Sequence, residues 1–66
     1  MDVTAEVVGE TTAELSLADD ATYADVCREV GYSPHEVTVL VDGSPVPEDR
    51  AVDAARVKVL RLIKGG

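Results

Sequence analysis

The sequence has few of the side chains that bind nucleic-acid bases or form disulfides. It contains no Phe and no Trp, and its only aromatic residues are Tyr23 and Tyr32. The chain therefore lacks the large aromatic surfaces on which unpaired bases stack, which argues against direct binding of nucleic acid. Its single cysteine, Cys27, has no internal partner, so no internal disulfide can stabilise the fold. This usage favours a reducing, cytoplasmic setting.

Positive charge is also scarce. Six Lys and Arg residues face thirteen Asp and Glu residues, which gives a net charge of -7. Such a charge repels phosphate backbones and anionic membranes and favours a partner with a basic groove. No apolar run approaches the roughly 20 residues that span a bilayer, and the acidic start has no signal-peptide pattern. We expect no membrane association, and the acidic surplus is typical of proteins that work in molar salt.

The chain is short and has no catalytic motif. Its 66 residues predict one small domain, and at this size a fold buries only about 60% of the surface of its unfolded chain, which leaves little room for a pocket. There is no Gly-rich phosphate loop and no Ser-His-Asp set, and His35 has no second ligand at metal spacing. We therefore expect no enzyme activity, no catalytic residue, no metal and no bound cofactor.

Two alternating patterns near the start predict a hairpin. Apolar and polar residues alternate over residues 2–8 and again over residues 12–17, which is the period of strands with one buried face. Gly9 marks the turn between them. We expect these two strands to pair in an antiparallel manner.

The period then changes to that of a helix. Thr22 is the expected N-cap, with the Asp25 carboxylate three residues on in a variant of the capping box, and Gly31 supplies the stop. One apolar stripe at helical spacing consists of Tyr23, Val26, Cys27 and Val30. The prediction is a helix of about nine residues, in which Cys27 is an inert core residue.

Three further strands follow the helix. Residues 37–41 predict a strand that ends at the turn signal Asp42-Gly43. Val46 lies between two prolines and predicts a short edge strand, because proline donates no hydrogen bond to a sheet. Residues 56–62 predict the last strand.

This order of elements predicts the fold. Strand, strand, helix, strand, short strand, strand is the order of an α+β domain in which one helix packs across one face of a mixed sheet of about four to five strands. We expect the first and last strands to pair in parallel at the centre of the sheet. The arrangement is that of a β-grasp domain at residues 1–61, followed by a flexible C-terminal tail at residues 62–66.

The last residues are an apolar, β-prone run that ends in Gly65 and Gly66. Glycine has no Cβ, so a diglycine end fits a tunnel too narrow for side chains and presents its carboxylate to another enzyme. That carboxylate is ionised at neutral pH, and residues 62–66 reach about 16 Å when extended at about 3.3 Å per residue. Taken alone, a diglycine end is also compatible with a terminus that has no function.

Four segments together carry a resemblance to a known family. They are VTAEV at residues 3–7, YADV at residues 23–26, PHEVTVLVDG at residues 34–43 and VKVLRLIKGG at residues 57–66. In these segments the sequence resembles the ubiquitin-like β-grasp family, and more closely the small archaeal modifier proteins (SAMPs) of salt-loving archaea. The resemblance extends over the whole chain.

The resemblance implies a monomeric ubiquitin-like protein modifier and sulfur carrier. A ubiquitin-activating-type enzyme would use ATP to adenylate the Gly66 carboxylate, with Gly65 required for access. The acyl-adenylate would then become a thiocarboxylate that donates sulfur, as in tRNA thiolation, or form an isopeptide bond with a target lysine. The implied partners are the activating enzyme, sulfur-donor and sulfur-acceptor proteins, and target proteins, and both fates are open.

The residues before the diglycine are candidates for docking to that enzyme. In the last strand Val57 and Val59 share the inward parity, which leaves Leu60 outward beside an apolar tail. The predicted docking patch consists of Leu60, Arg61, Leu62, Ile63 and Lys64. Packing within the monomer is the alternative for its apolar members, and plain solvation is the alternative for Arg61 and Lys64.

Lys58 and Lys64 are the only side-chain amines of the chain. They are therefore the sole internal sites at which a second copy could attach through an isopeptide bond, and the outward Lys58 is the better candidate. Two alternative functions stay open. One is a dedicated sulfur carrier of the molybdopterin or thiamin type that never conjugates, and the other is an acidic interaction domain that binds partners non-covalently.

Overall fold

Five strands and one helix make up residues 1–62, the part of the chain that the computed structural model describes. They follow the chain in the order β1 (Asp2–Val7), β2 (Thr11–Ser16), α1 (Tyr23–Glu29), β3 (Val37–Val41), β4 (Ser44–Val46) and β5 (Arg56–Arg61). Every predicted element is present, with small shifts at its ends. The predictions for Ile63, Lys64, Gly65 and Gly66 fall outside the described residues.

The strands form one mixed sheet in the order β2-β1-β5-β3-β4. β1 and β5 pair in parallel, whereas β1 with β2, β3 with β5 and β3 with β4 pair antiparallel. The predicted parallel pairing of the first and last strands at the centre of the sheet is therefore confirmed, as is the α+β class. The last strand lies between β1 and β3, so the chain leaves the sheet from its middle.

One face of the sheet packs against α1, and the other face is open to solvent. The buried sheet residues are Val3, Ala5, Val7, Leu15, Val37, Val39, Val57 and Val59. Most of them are valines, whose branched side chains fit a pleated surface, and each contributes about 1.5–3 kcal/mol by leaving water. The helix covers this layer with Tyr23, Ala24, Val26 and Cys27. The predicted apolar stripe of the helix is confirmed.

The helix is capped as predicted but is shorter. The N–H of Thr22, the N-cap, donates to the Asp25 carboxylate at 2.9 Å. Backbone N–H groups of Tyr23 and Ala24 donate to carbonyl oxygens of the loop before β5, at 3.1 and 2.8 Å. The helix has seven residues because the chain turns at Gly31, whose φ is 92°. Within residues 1–62 no helix has the length and apolarity needed to cross a membrane.

Candidate functional site

The candidate site begins on β5, the strand that carries the chain towards its diglycine end. Val57 and Val59 point into the core with 4% and 0% of their surface exposed, whereas Lys58 and Leu60 point to the open face. The predicted parity of this strand is confirmed. β5 ends at Arg61, and Leu62 is the last residue that the structure describes.

Two side chains from distant parts of the sequence contact Arg61. Glu10 comes from the turn between β1 and β2, and Tyr32 from the loop after α1. The Tyr32 hydroxyl donates to one Glu10 carboxylate oxygen at 2.6 Å, and the Arg61 guanidinium donates to the other at 2.8 Å. The guanidinium also lies over the Tyr32 ring, 5.3 Å from its centre. We call Glu10, Tyr32 and Arg61 the tail-root cluster.

The charges of the tail-root cluster support one another. The hydrogen bond from Tyr32, followed by that from Arg61, lowers the pKa of the Glu10 carboxyl. The hydrogen bond to Glu10 raises the pKa of Tyr32 and also that of Arg61. At neutral pH the cluster therefore consists of a carboxylate, a neutral phenol and a guanidinium, and every contact between them is attractive.

The backbone is held at the same place. The Leu62 N–H donates to the Glu36 carbonyl at 2.8 Å, one position beyond the pairing of Arg61 with Val37. Leu62 is the first residue of the segment predicted as a tail, and in the structure its N–H is still bonded to the domain. Its side chain is 50% exposed.

Arg61 has a partner that sequence reasoning missed. The sequence predicts either a contact with a binding partner or plain solvation for this cation, and the structure shows an internal ion pair with Glu10. The two residues are 51 positions apart. No local pattern indicates such a pair, because an exposed Glu in a turn is ordinary.

Exposed apolar side chains lie along the same end of the sheet. Leu60 is 40% exposed and Val8 is 40% exposed. Val8 follows Val7, whose parallel partner is Val59, and its N–H donates to the Val59 carbonyl at 3.0 Å. Val8 and Leu60 therefore come next to each other on neighbouring strands. Leu60 is among the docking residues predicted from the sequence and Val8 is not, although the alternation that predicts β1 also gives Val8 an outward parity.

Lys58 lies on the open face of the sheet. Its neighbours across the strands are Glu6 on β1 and Leu40 on β3. An open depression of about 460 Å³ surrounds it and is also lined by Asp42 and Gly43. The Lys58 side chain is exposed to solvent.

The remaining chemically capable side chains are not assembled into a site. Cys27 is 1% exposed, and burial raises the pKa of its thiol, which keeps it protonated and inert. His35 is exposed in the loop before β3. Among residues 1–62 no group of three or more His, Cys, Asp or Glu side chains is placed to hold a metal ion.

A five-stranded mixed sheet with one helix across it, from whose centre the last strand leads outward, defines a small ubiquitin-like β-grasp protein. The model of the family described as small archaeal modifier protein 2 matches residues 1–63. The small archaeal modifier protein 2 of Haloferax volcanii is 70% identical over 66 residues, and the match covers 100% of both chains. The chain therefore belongs to the small archaeal modifier protein 2 family.

Two further comparisons agree with this assignment. The crystal structure of the H. volcanii small archaeal modifier protein 2 matches this fold with a TM-score of 0.77 at 69% identity, over 97% of each chain. An uncharacterized protein of Archaeoglobus fulgidus is 39% identical over 44 residues, which are 67% of this chain and 66% of that protein. The β-grasp fold predicted from the sequence is thus also that of an experimental structure of a relative.

Proposed function

We propose that this chain is a protein modifier and sulfur carrier that acts through the carboxylate of Gly66. Membership of a modifier family, at 70% identity over the full length of both chains, is the observation that carries the proposal. The position of β5 supports it, because the strand that precedes the diglycine end is paired on both sides and so is held firmly by the domain. The domain would serve as the part that a partner grips, and the end of the chain as the part that reacts.

The proposed chemistry starts on a partner enzyme of the ubiquitin-activating type. A carboxylate oxygen of Gly66 attacks the α-phosphorus of ATP, pyrophosphate leaves, and an acyl-adenylate forms. Adenylation is needed because a carboxylate is a poor electrophile until an oxygen becomes part of a good leaving group. Gly65 has no side chain and so lets the end enter a narrow active site.

Two nucleophiles compete for the activated carbonyl in this proposal. A persulfide sulfur of a partner displaces AMP and forms an acyl disulfide. A second thiol of the partner then attacks the carrier sulfur of that bond, which forms a disulfide on the partner and releases a thiocarboxylate that donates sulfur, as in tRNA thiolation. Alternatively, the amine of a target lysine attacks, AMP leaves and an isopeptide bond forms. The same activated end therefore supplies both products, and the partners present decide between them.

The exposed residues near the end of β5 are the proposed docking surface for the activating enzyme. Leu60 and Leu62 are 40% and 50% exposed and share this end of the molecule with Val8. Exposed apolar side chains grouped at one place are typical of protein contact sites. We include Ile63 and Lys64 in the docking surface as proposals from the sequence.

Lys58 is the proposed acceptor for a second copy, with Lys64 as the other amine of the chain. Lys58 lies on the exposed face of β5 within an open depression, which leaves room for an incoming glycine end. Attack by an amine on the activated carbonyl releases a proton, and we expect the conjugating partner to provide the base that accepts it.

Mass spectrometry of protein from cells tests the proposed function. If the chain carries sulfur, its intact mass will show one oxygen of the terminal carboxylate replaced by sulfur. If it conjugates, trypsin will cut after Lys64 and leave a Gly-Gly remnant on target lysines, including Lys58 when copies are joined. A chain that lacks Gly65 and Gly66 is the matched control, and both signals should disappear from it.

Each outcome separates the alternatives. Sulfur without any remnant would indicate the dedicated sulfur carrier. An unmodified end in several growth conditions, with a truncated chain that still supports growth, would leave only the non-covalent interaction domain. Either result would contradict part or all of the proposal.

A further inference from the structure

We infer that Glu10 and Tyr32 are positioning residues that hold Arg61 and so fix the direction in which the chain leaves the sheet. The inference rests on the proposed function in one respect, namely that the fixed direction serves entry of Gly66 into an activating enzyme. Its structural part, the ordering of Arg61 and Leu62, can be tested without that enzyme.

Several contacts converge on Arg61 and Leu62. Contacts from two separate segments, the turn between β1 and β2 and the loop between α1 and β3, reach two consecutive residues. Glu10 and Tyr32 contact Arg61, and the Glu36 carbonyl accepts from the Leu62 N–H at 2.8 Å. Side chains hold one residue while the backbone holds the next. Such an arrangement constrains both the position and the direction of the chain at the end of β5.

The Glu10–Arg61 ion pair differs from the other side-chain ion pairs of the described residues. The other side-chain pairs within residues 1–62 join Arg28 with Asp25 and Arg50 with Asp53, both three positions apart in sequence. The Glu10–Arg61 contact spans 51 positions and carries a second hydrogen bond and a ring contact. The two local pairs each connect residues of one segment, whereas the Glu10–Arg61 pair joins the end of β5 to the turn between β1 and β2.

The energy of an exposed ion pair also favours a positioning role for Glu10 and Tyr32. Exposed ion pairs add little to stability, so stability alone does not explain three side chains joined at this place. A role in orienting the chain does explain the cluster. Ordering a flexible segment during binding opposes association, and a segment that is already ordered avoids that penalty. The 2.8 Å contact is also no longer than the Debye length of about 3 Å in 1 M salt, so the pair is only partly screened there.

A rival role for Arg61 is direct contact with the activating enzyme. In that case Glu10 would compete with the enzyme for the guanidinium, and loss of Glu10 would leave binding unchanged or improve it. If Glu10 and Tyr32 position Arg61, loss of any member of the tail-root cluster weakens the productive complex. The two roles therefore predict opposite effects of the same variant.

The test measures ATP-dependent adenylation of the full chain by its activating enzyme. We expect Glu10→Gln, Tyr32→Phe and Arg61→Gln each to raise KM for the chain roughly threefold to tenfold, with kcat changed by less than about twofold. The double variant Glu10→Gln with Arg61→Gln should have a KM no higher than that of the more impaired single variant, because both substitutions remove the same Glu10–Arg61 ion pair. The charge-swapped pair Glu10→Arg with Arg61→Glu should recover part of the loss.

Two matched controls remove the same charges elsewhere. Glu14→Gln neutralises an exposed carboxylate on β2, and Arg50→Gln neutralises a cation that pairs with Asp53 in the loop before β5. Both should leave KM unchanged. If they raise KM as much as the cluster variants do, net charge and not position is responsible, and the inference is overturned.

A second readout uses the chain alone. In NMR relaxation, the Leu62 amide of the native sequence should be as ordered as those of β5, and Glu10→Gln and Tyr32→Phe should lower its order parameter. Unchanged order in both variants would overturn the inference. If adenylation is absent even for the native chain, the proposed function fails, and the Leu62 amide then decides the inference by itself. If adenylation occurs and only Arg61→Gln raises KM, Arg61 contacts the enzyme directly and the inference is wrong.

Discussion

Tyr23 shows how one side chain fastens the helix to the rest of the domain. Its ring is fully buried, yet its hydroxyl donates to the exposed carboxylate of Asp53 at 2.7 Å, across 30 positions of sequence. Burial, followed by the hydrogen bond to Asp53, raises the pKa of the Tyr23 hydroxyl, so the phenol stays a neutral donor throughout the physiological range. The aromatic ring fills the core, and its polar tip orders the loop before β5.

We expect Tyr23→Phe to lower the free energy of unfolding by about 1 kcal/mol, because it removes a hydrogen bond to a charged group but leaves the ring in place. In a domain of this size that loss lowers the melting temperature by about 4–8 °C. Calorimetry or urea titration measures it. Tyr32→Phe is the matched control, since it removes the same atom from an exposed cluster, and its effect on stability should be smaller. Equal losses in both variants would contradict this account.

Single residues differ in how well the sequence foretells them. The burial of Cys27 and the inward parity of Val57 and Val59 follow from local periodicity and are confirmed. The contact between Glu10 and Arg61 does not follow from local periodicity, because an exposed cation in a chain with thirteen acidic residues has many alternative partners. Only the pairing of β1 with β5 brings those two segments together.

The turn between β3 and β4 is an element that a local sequence signal predicts directly. Val41 pairs with Ser44, so Asp42 and Gly43 alone make the turn. Both have positive φ, 52° and 80°, which is the backbone of a two-residue turn that matches the twist of antiparallel strands. Asp tolerates this conformation moderately well, and Gly tolerates it without strain.

Gly43→Ala should destabilise the fold by about 1–2 kcal/mol through backbone strain alone, since no heavy atom beyond Gly43 and its two chain neighbours lies within 4 Å of the position of the added Cβ. Urea titration measures the loss. Ser44→Ala is the control: it changes an exposed neighbour that lies on β4 and should be nearly neutral. A Gly43→Ala variant as stable as the native chain would show that the turn can change its conformation at little cost.

The helix illustrates where prediction by pattern stops. Its start and its buried stripe are predicted correctly, because Thr22, Asp25 and the apolar spacing are local signals. Its length is not, and a helix of seven residues would be unstable in isolation. Its first two N–H groups donate to the carbonyls of Arg50 and Glu48, and no local sequence pattern predicts these contacts. Packing against the sheet, more than propensity, decides how much of this segment is helical.

The molecule as a whole combines a small core with a strongly acidic surface. Its net charge is -7, and no side chain of Asp or Glu among residues 1–62 is buried. Repulsion between these carboxylates opposes the compact state at low ionic strength. The core is small and built largely of valines, so its burial offsets only part of this repulsion. The salt concentration should therefore change the stability of this fold more than that of a neutral domain of equal size.

We expect the melting temperature to rise with KCl concentration, by roughly 5–10 °C between 0.1 M and 2 M, because the Debye length shortens from about 10 Å to below about 3 Å and the acidic surface stops repelling itself. Thermal unfolding followed by circular dichroism measures this slope. A variant that neutralises three exposed carboxylates, Glu14→Gln, Asp20→Asn and Asp49→Asn, should melt higher in 0.1 M KCl and gain less from added salt. A flat or falling melting temperature for the native chain, or an equal slope in the variant, would show that charge repulsion does not govern its stability.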